Sequence, residues 1–153
     1  MALLYALTLH AFYVMALGGI GAPFLAAEFG FDDAAIAGLA GWISVGAFGT
    51  AIFTRLADRY GRRRVLVLSF AAMAPFCAAS AFAMDVASYV IAQIVVGALL
   101  GTLVTVLPVA VAEKAPDGQR AIAQARFGVA AAFGGALALL MSTLVPWLPG
   151  GWR

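Results

Sequence analysis

Two uninterrupted apolar stretches, Val65 to Met84 and Val86 to Ala112, constrain this chain more than anything else in it. A helix at the surface of a water-soluble protein keeps a polar face at helical spacing, and these stretches are apolar nearly all round. Only 10% of the 153 residues are charged and 65% are hydrophobic, against about 25% charged in a typical soluble domain. A soluble fold of this length has too few charges to cover its surface, so the helices belong in lipid.

A bilayer core about 30 Å thick calls for about 20 apolar residues per helix. Cutting the chain where charges and turn formers interrupt the apolar runs predicts five spans: Leu3 to Ala27, Ala34 to Thr54, Val65 to Met84, Val86 to Ala112 and Ala121 to Leu144. Lipid-exposed backbone needs internal hydrogen bonds, and strands of a barrel would alternate polar with apolar residues, so the expected class is all-α. The first run resembles a secretory leader in ending near the small residues Ala26 and Ala27. It has no basic start, and its length exceeds the 7 to 15 residues of a leader's apolar region, so it is expected to be a retained span.

Basic residues mark cytoplasmic loops, because they resist translocation. Of the nine lysines and arginines, all but Arg153 fall between spans two and three (Arg55, Arg59, Arg62, Arg63, Arg64) or between span four and the start of span five (Lys114, Arg120, Arg126). The opposite connections carry Glu28, Asp32, Asp33 and Asp85. A cytoplasmic N-terminus in a cell inner membrane follows, with Arg153 outside.

Charge and cysteine content exclude several functions. The net charge is +2, and the cations sit between spans rather than along a stripe that tracks phosphates, so nucleic acid is not an expected partner. One cysteine, Cys77, allows no intrachain disulfide and no metal-ligand spacing. A membrane-embedded hydrolase needs clustered His, Asp, Glu or Cys near one leaflet; one histidine and one cysteine in different spans do not supply it, so no enzyme and no cofactor are expected.

The segment Thr54-Arg55-Leu56-Ala57-Asp58-Arg59-Tyr60-Gly61-Arg62-Arg63-Arg64 carries the sharpest pattern. An anchoring run of arginines accounts for Arg63 and Arg64, but an aspartate inside that run with a glycine three residues on is hard to produce by charge bias alone. The segment resembles the signature loop between helices two and three of the major facilitator superfamily, Gly-x-Leu-Ala-Asp-Arg-x-Gly-Arg-Arg/Lys, with Thr54 in place of the leading glycine. The resemblance implies that Asp58, Arg59, Gly61, Arg62 and Arg63 form a cytoplasmic latch, in which Asp58 engages a helix start in the second half of the protein in one transport state. A carboxylate there suits both an arginine and the amides of a helix N-terminus, and Gly61 tolerates a tight turn.

Pro108, Glu113, Pro116 and Arg120 are similar to the Pro-x4-Glu-x2-Pro-x3-Arg pattern of sugar porters and related organic-solute carriers of that superfamily. Glu113 and Arg120 are expected to pair with the arginines of the first loop, although solvated helix ends are an equal reading for either residue. Where many proton-coupled members carry an arginine four residues before a glycine, this chain has Gln93 before Gly97, which puts proton coupling in doubt. Gly151-Trp152-Arg153 resembles the family's outer motif just before helix six.

The implied fold is that of a twelve-helix transporter in two six-helix halves, with solute held at the midplane between them. The chain corresponds to about five helices of the N-terminal half, without helix six and the second half. The expected function is transport of a small organic solute by alternating access, as a truncated part of a secondary transporter. Its partners would be the lipid bilayer, that solute, and the missing C-terminal helices. The alternative is a non-transporting membrane interaction or accessory protein that docks through glycine-rich faces.

Ionisable or polar groups within spans are functional candidates. His10 and Gln93 are the candidates for a substrate path, with an interfacial histidine the plainer reading of His10. Ser44, Thr102, Thr105 and Ser142 are further polar groups in the bundle, and Arg126 is expected to reach the interface. Gly97 with Gly101, the row Gly38, Gly41, Gly46 and Gly49, and Gly18, Gly19 and Gly21 are candidate close-packing positions. Pro23, Pro75 and Pro108 permit kinks.

Overall fold

A computed structural model describes residues 1–20, 24, 27, 29–144 and 147. The expectations for Gly21, Pro23, Ala26, Glu28 and Gly151-Trp152-Arg153 lie outside these residues. So do those for the side chains of Gly19 and Asp33.

The described chain is helical throughout: α1 (Ala2–Ile20), α2 (Asp33–Ser44), α3 (Gly46–Tyr60), α4 (Arg62–Ala81), α5 (Val86–Lys114) and α6 (Arg120–Leu144). By length and composition, four stretches among the described residues can cross a membrane: Ala34–Tyr60, Arg62–Ala81, Val86–Lys114 and Arg120–Leu144. The apolar Ala2–Gly18 is shorter. At about 1.5 Å per residue, the 19 residues of α1 extend about 28 Å, close to the thickness of a bilayer core.

Local chemistry sets the ends. Asp32 caps α2, its carboxylate accepting from the Ala35 amide at 2.8 Å, and Asp85 caps α5 by accepting from Ser88 at 2.8 Å. Each satisfies an amide that the helix start leaves without a partner. Both aspartates were legible as loop charges, and their capping role is an addition. The joint between α2 and α3 is a single residue, Val45, where the ladder tightens: the Val45 amide donates to Trp42 and the Phe48 amide to Val45, each at 3.1 Å. The second apolar stretch is therefore one helix in two segments.

α5 is the hub, packing against α1, α2, α3, α4 and α6, and α1 lies along α6. The core follows α5: Leu103, Leu107 and Val111 are fully buried, with Leu7 and Ala11 of α1, Ala57 of α3, and Leu66 and Met73 of α4 closing over this helix. Phe12 and Phe127 meet edge-to-face at 6.0 Å between α1 and α6.

In lipid, close contact replaces the hydrophobic drive, so backbones must approach. A Cβ on Gly46 would stand 2.5 Å from the Ile94 carbonyl oxygen, and one on Gly49 would stand 2.6 Å from the Ala98 Cβ, so α3 rides directly on α5. Thr50 fixes the same seam by donating to the Ala98 carbonyl at 3.3 Å. Of the glycines expected at interfaces, Gly46, Gly49 and Gly101 lie in tight seams. Gly97 makes ordinary contact at 3.7 Å, whereas Gly18, Gly38 and Gly41 meet nothing within 4 Å. Gly134, one of many small residues in its apolar run, is the point where α6 sits on the backbone of α1 at Leu9 and Tyr13.

Large apolar side chains cover the outer faces, among them Phe48 and Ile52 of α3, Leu68 of α4 and Phe133 of α6, with Phe48 76% exposed. So many exposed large apolar side chains suit hydrocarbon rather than water.

Candidate functional site

The sequence pattern around Asp58 reads as a loop, but the structure makes it a corner. α3 continues through Tyr60 and α4 begins at Arg62, leaving Gly61 alone between them. Leu56, Ala57 and Arg59 are compatible with helix, so the charges that end the apolar run do not end the helix. Gly61 ends it by adopting φ 93° and ψ 130°, a backbone open essentially to glycine, while its amide still donates to the Ala57 carbonyl at 3.0 Å. Ala57, 1% exposed, brings the corner against the core.

This corner places Asp58 and Arg62 on one side, with the guanidinium 3.5 Å from the carboxylate. The same guanidinium pairs through its other terminal nitrogen with Glu113, in the last turn of α5. One arginine thus joins the end of α3, the start of α4 and the end of α5. The side chains are 65% exposed at Asp58, 29% at Arg62 and 57% at Glu113, so the node sits at the rim of the bundle rather than in its core. Pairs this exposed contribute about 0 to 1 kcal/mol each, which makes them exchangeable.

The remaining residues of the first pattern do not join the node. Arg59 lies over the ring of its neighbour Tyr60 at 5.5 Å, and Arg63 and Arg64 are exposed. Thr54 holds a buried hydroxyl with no hydrogen-bond partner among the described residues.

The second pattern divides between three places. Pro108 lies inside α5, and its carbonyl accepts from the Gln124 amide nitrogen at 2.7 Å, fastening α6 to α5. Pro116 lies in the connector, which turns through Gly118 at φ 76° with the Gln119 amide donating to Pro116 at 3.0 Å. Arg120 begins α6, is exposed, and enters no ion pair among the described residues. Glu113 therefore meets the first pattern and Arg120 does not. Nothing in the sequence singles out Gln124 beyond an amide one turn into α6, between Arg120 and Arg126.

The two substrate-path candidates separate. His10 is half-buried on α1 with its ring edge-to-face against Phe70, 4.9 Å between centroids. Gln93 lines a cavity of about 460 Å³ bounded by α1, α2, α4, α5 and α6, where Tyr89, Ser80 and Ser142 are further polar lining groups. Ser44, Thr102, Thr105 and Ser142 each donate to a carbonyl of their own helix, at 2.7 to 2.8 Å. Gln93 and Tyr89 enter no side-chain hydrogen bond among the described residues, so both keep polar groups free in that cavity. No cluster of three or more His, Cys, Asp or Glu side chains able to hold a metal occurs among the described residues.

The family model described as Major Facilitator Superfamily matches residues 3–153. A D-xylose transporter of Levilactobacillus brevis is 27% identical over an alignment covering 93% of this chain and 34% of that protein. The chain thus spans about a third of the length of the curated relative it matches. No solved structure matches it.

Proposed function

The chain belongs to the major facilitator superfamily, and from that membership we propose that it supplies the first helices of a secondary transporter that moves a small organic solute by alternating access. It is a multi-pass membrane protein. The similarity to a D-xylose transporter favours a sugar as the solute. The observation that carries the reading is the node Asp58–Arg62–Glu113, in which a half-buried arginine fastens three helix ends by pairing with two exposed carboxylates. A bundle that rocks between two states needs ends that part and rejoin, and exchangeable charge pairs serve this better than buried apolar contact.

In this reading the basic end faces the cytoplasm of a cell inner membrane, as the distribution of lysine and arginine favours, and the N-terminus lies on that side. Asp58 alternates between Arg62 and a helix start contributed by helices beyond this chain, and Arg59, Gly61 and Arg63 shape the turn that presents it. Pro108, Glu113, Pro116 and Arg120 form the second cytoplasmic pattern, with Glu113 as its contact to the first. Gln93 offers a neutral amide to a solute hydroxyl; His10, packed on Phe70, stands outside that cavity.

Uptake by the full-length protein in proteoliposomes tests the reading. Saturable entry of labelled D-xylose or another monosaccharide, competed by the same unlabelled sugar, is the expected result. Uptake indistinguishable from protein-free vesicles across a panel of monosaccharides and small organic acids overturns it.

A further inference from the structure

At the basic end of the bundle a groove of about 850 Å³ opens between the first turns of α1 and the corner joining α3 to α4. Its lining has two chemistries. Leu3, Leu4 and Leu7 of α1, with Val67 of α4, supply an apolar wall, and Arg63, Arg64 and Lys114 supply a cationic one. Asp58, Arg62 and Glu113 also line the groove but are engaged with one another. Arg63, Arg64 and Lys114 are exposed and enter no ion pair among the described residues. Four cations therefore meet two carboxylates, an excess of two positive charges.

The start of α4 adds to that excess. Its first turn holds three consecutive arginines, no acidic residue and no side-chain cap. The partial positive charge of a helix N-terminus favours an anion, so here the backbone and the side chains repel one another until one arrives. A free phosphate would satisfy the cations and leave the leucine wall unused. A molecule with a phosphate at one end and a hydrocarbon chain at the other matches both walls. Basic pockets between membrane helices are suited to such headgroups, and the volume lies within the range of ligand pockets.

We infer that this groove binds an anionic phospholipid, its phosphate held by Arg63, Arg64 and Lys114 and its acyl chain laid along Leu3, Leu4 and Leu7. The inference stands on the groove alone and does not depend on which solute, if any, the protein carries.

Native mass spectrometry of the full-length protein, released from nanodiscs containing phosphatidylglycerol and phosphatidylcholine, reads the effect. The parent is expected to retain phosphatidylglycerol over phosphatidylcholine. Arg63→Gln, Arg64→Gln and Lys114→Gln together are expected to abolish the preference, at roughly fivefold per charge removed. A control variant removes three exposed cations at the same end that do not line the groove, Arg55→Gln, Arg120→Gln and Arg126→Gln, and is expected to keep the preference. Far-UV circular dichroism verifies that both variants stay helical. Equal loss in the two variants would reduce the effect to diffuse surface charge and overturn the inference, as would an unchanged preference in the groove variant. Competition by glycerol phosphate as effective as that by a short-chain phosphatidylglycerol would overturn it as well, since the apolar wall would then contribute nothing.

Discussion

At Gly61 a single residue redirects the chain from α3 into α4, and its φ of 93° with ψ of 130° is what permits the corner. A side chain there is strained whatever space surrounds it, and nothing crowds the position within 4 Å, so the cost is purely backbone. Gly61→Ala is expected to destabilise the protein by about 1 to 3 kcal/mol, read as a lowered thermal unfolding midpoint in detergent. An unchanged midpoint would mean that the corner is not held as described. The importance of Gly61 was legible, because a glycine three residues after Asp58 in a run of arginines asks for a tight turn. The pairing of Arg62, rather than its neighbours, with Glu113 was not. Three consecutive arginines look alike in sequence, and only the angle between α4 and α5 decides which one reaches the carboxylate.

Among the elements, the seams decide where glycine matters. α6 meets α1 at Gly134, where an added Cβ would push into the Leu9 carbonyl, while Gly38 of α2 has open space around it. Gly134→Ala is expected to lower stability by about 1 to 3 kcal/mol through overpacking. Gly38→Ala should leave stability unchanged or raise it by up to about 1 kcal/mol through helix propensity. Thermal unfolding of the two variants side by side checks the contrast, and equal effects would contradict the described α1–α6 contact. The apolar runs themselves were readable, since few charges interrupt them. Their seams were not: Gly134 and Gly135 stand side by side, and helix rotation alone puts the first against α1. The corner reads as a loop in sequence because charge ends an apolar run without ending a helix. The break at Val45 has no proline to announce it, and it falls beside Gly46, where α3 is pressed against α5.

Across the whole molecule, α5 gathers the other helices around a core of Leu103, Leu107 and Val111 while the outer faces stay apolar. Such a bundle holds its centre by packing and its basic end by charge, through Asp58, Arg62 and Glu113. In the proposed reading, that division lets the packed centre move as a body while contacts at the rim exchange. The central claim, that Arg62 and Glu113 act as one switchable contact during transport, is tested most directly by a double-mutant cycle on solute uptake by the full-length protein in proteoliposomes. Arg62→Gln and Glu113→Gln are each expected to slow uptake by about fivefold, the rate equivalent of about 1 kcal/mol. The double variant is expected to be no slower than the worse of the two, because the second change finds no contact left to break. Single variants that transport at the parental rate, or a double variant whose losses multiply, would contradict it.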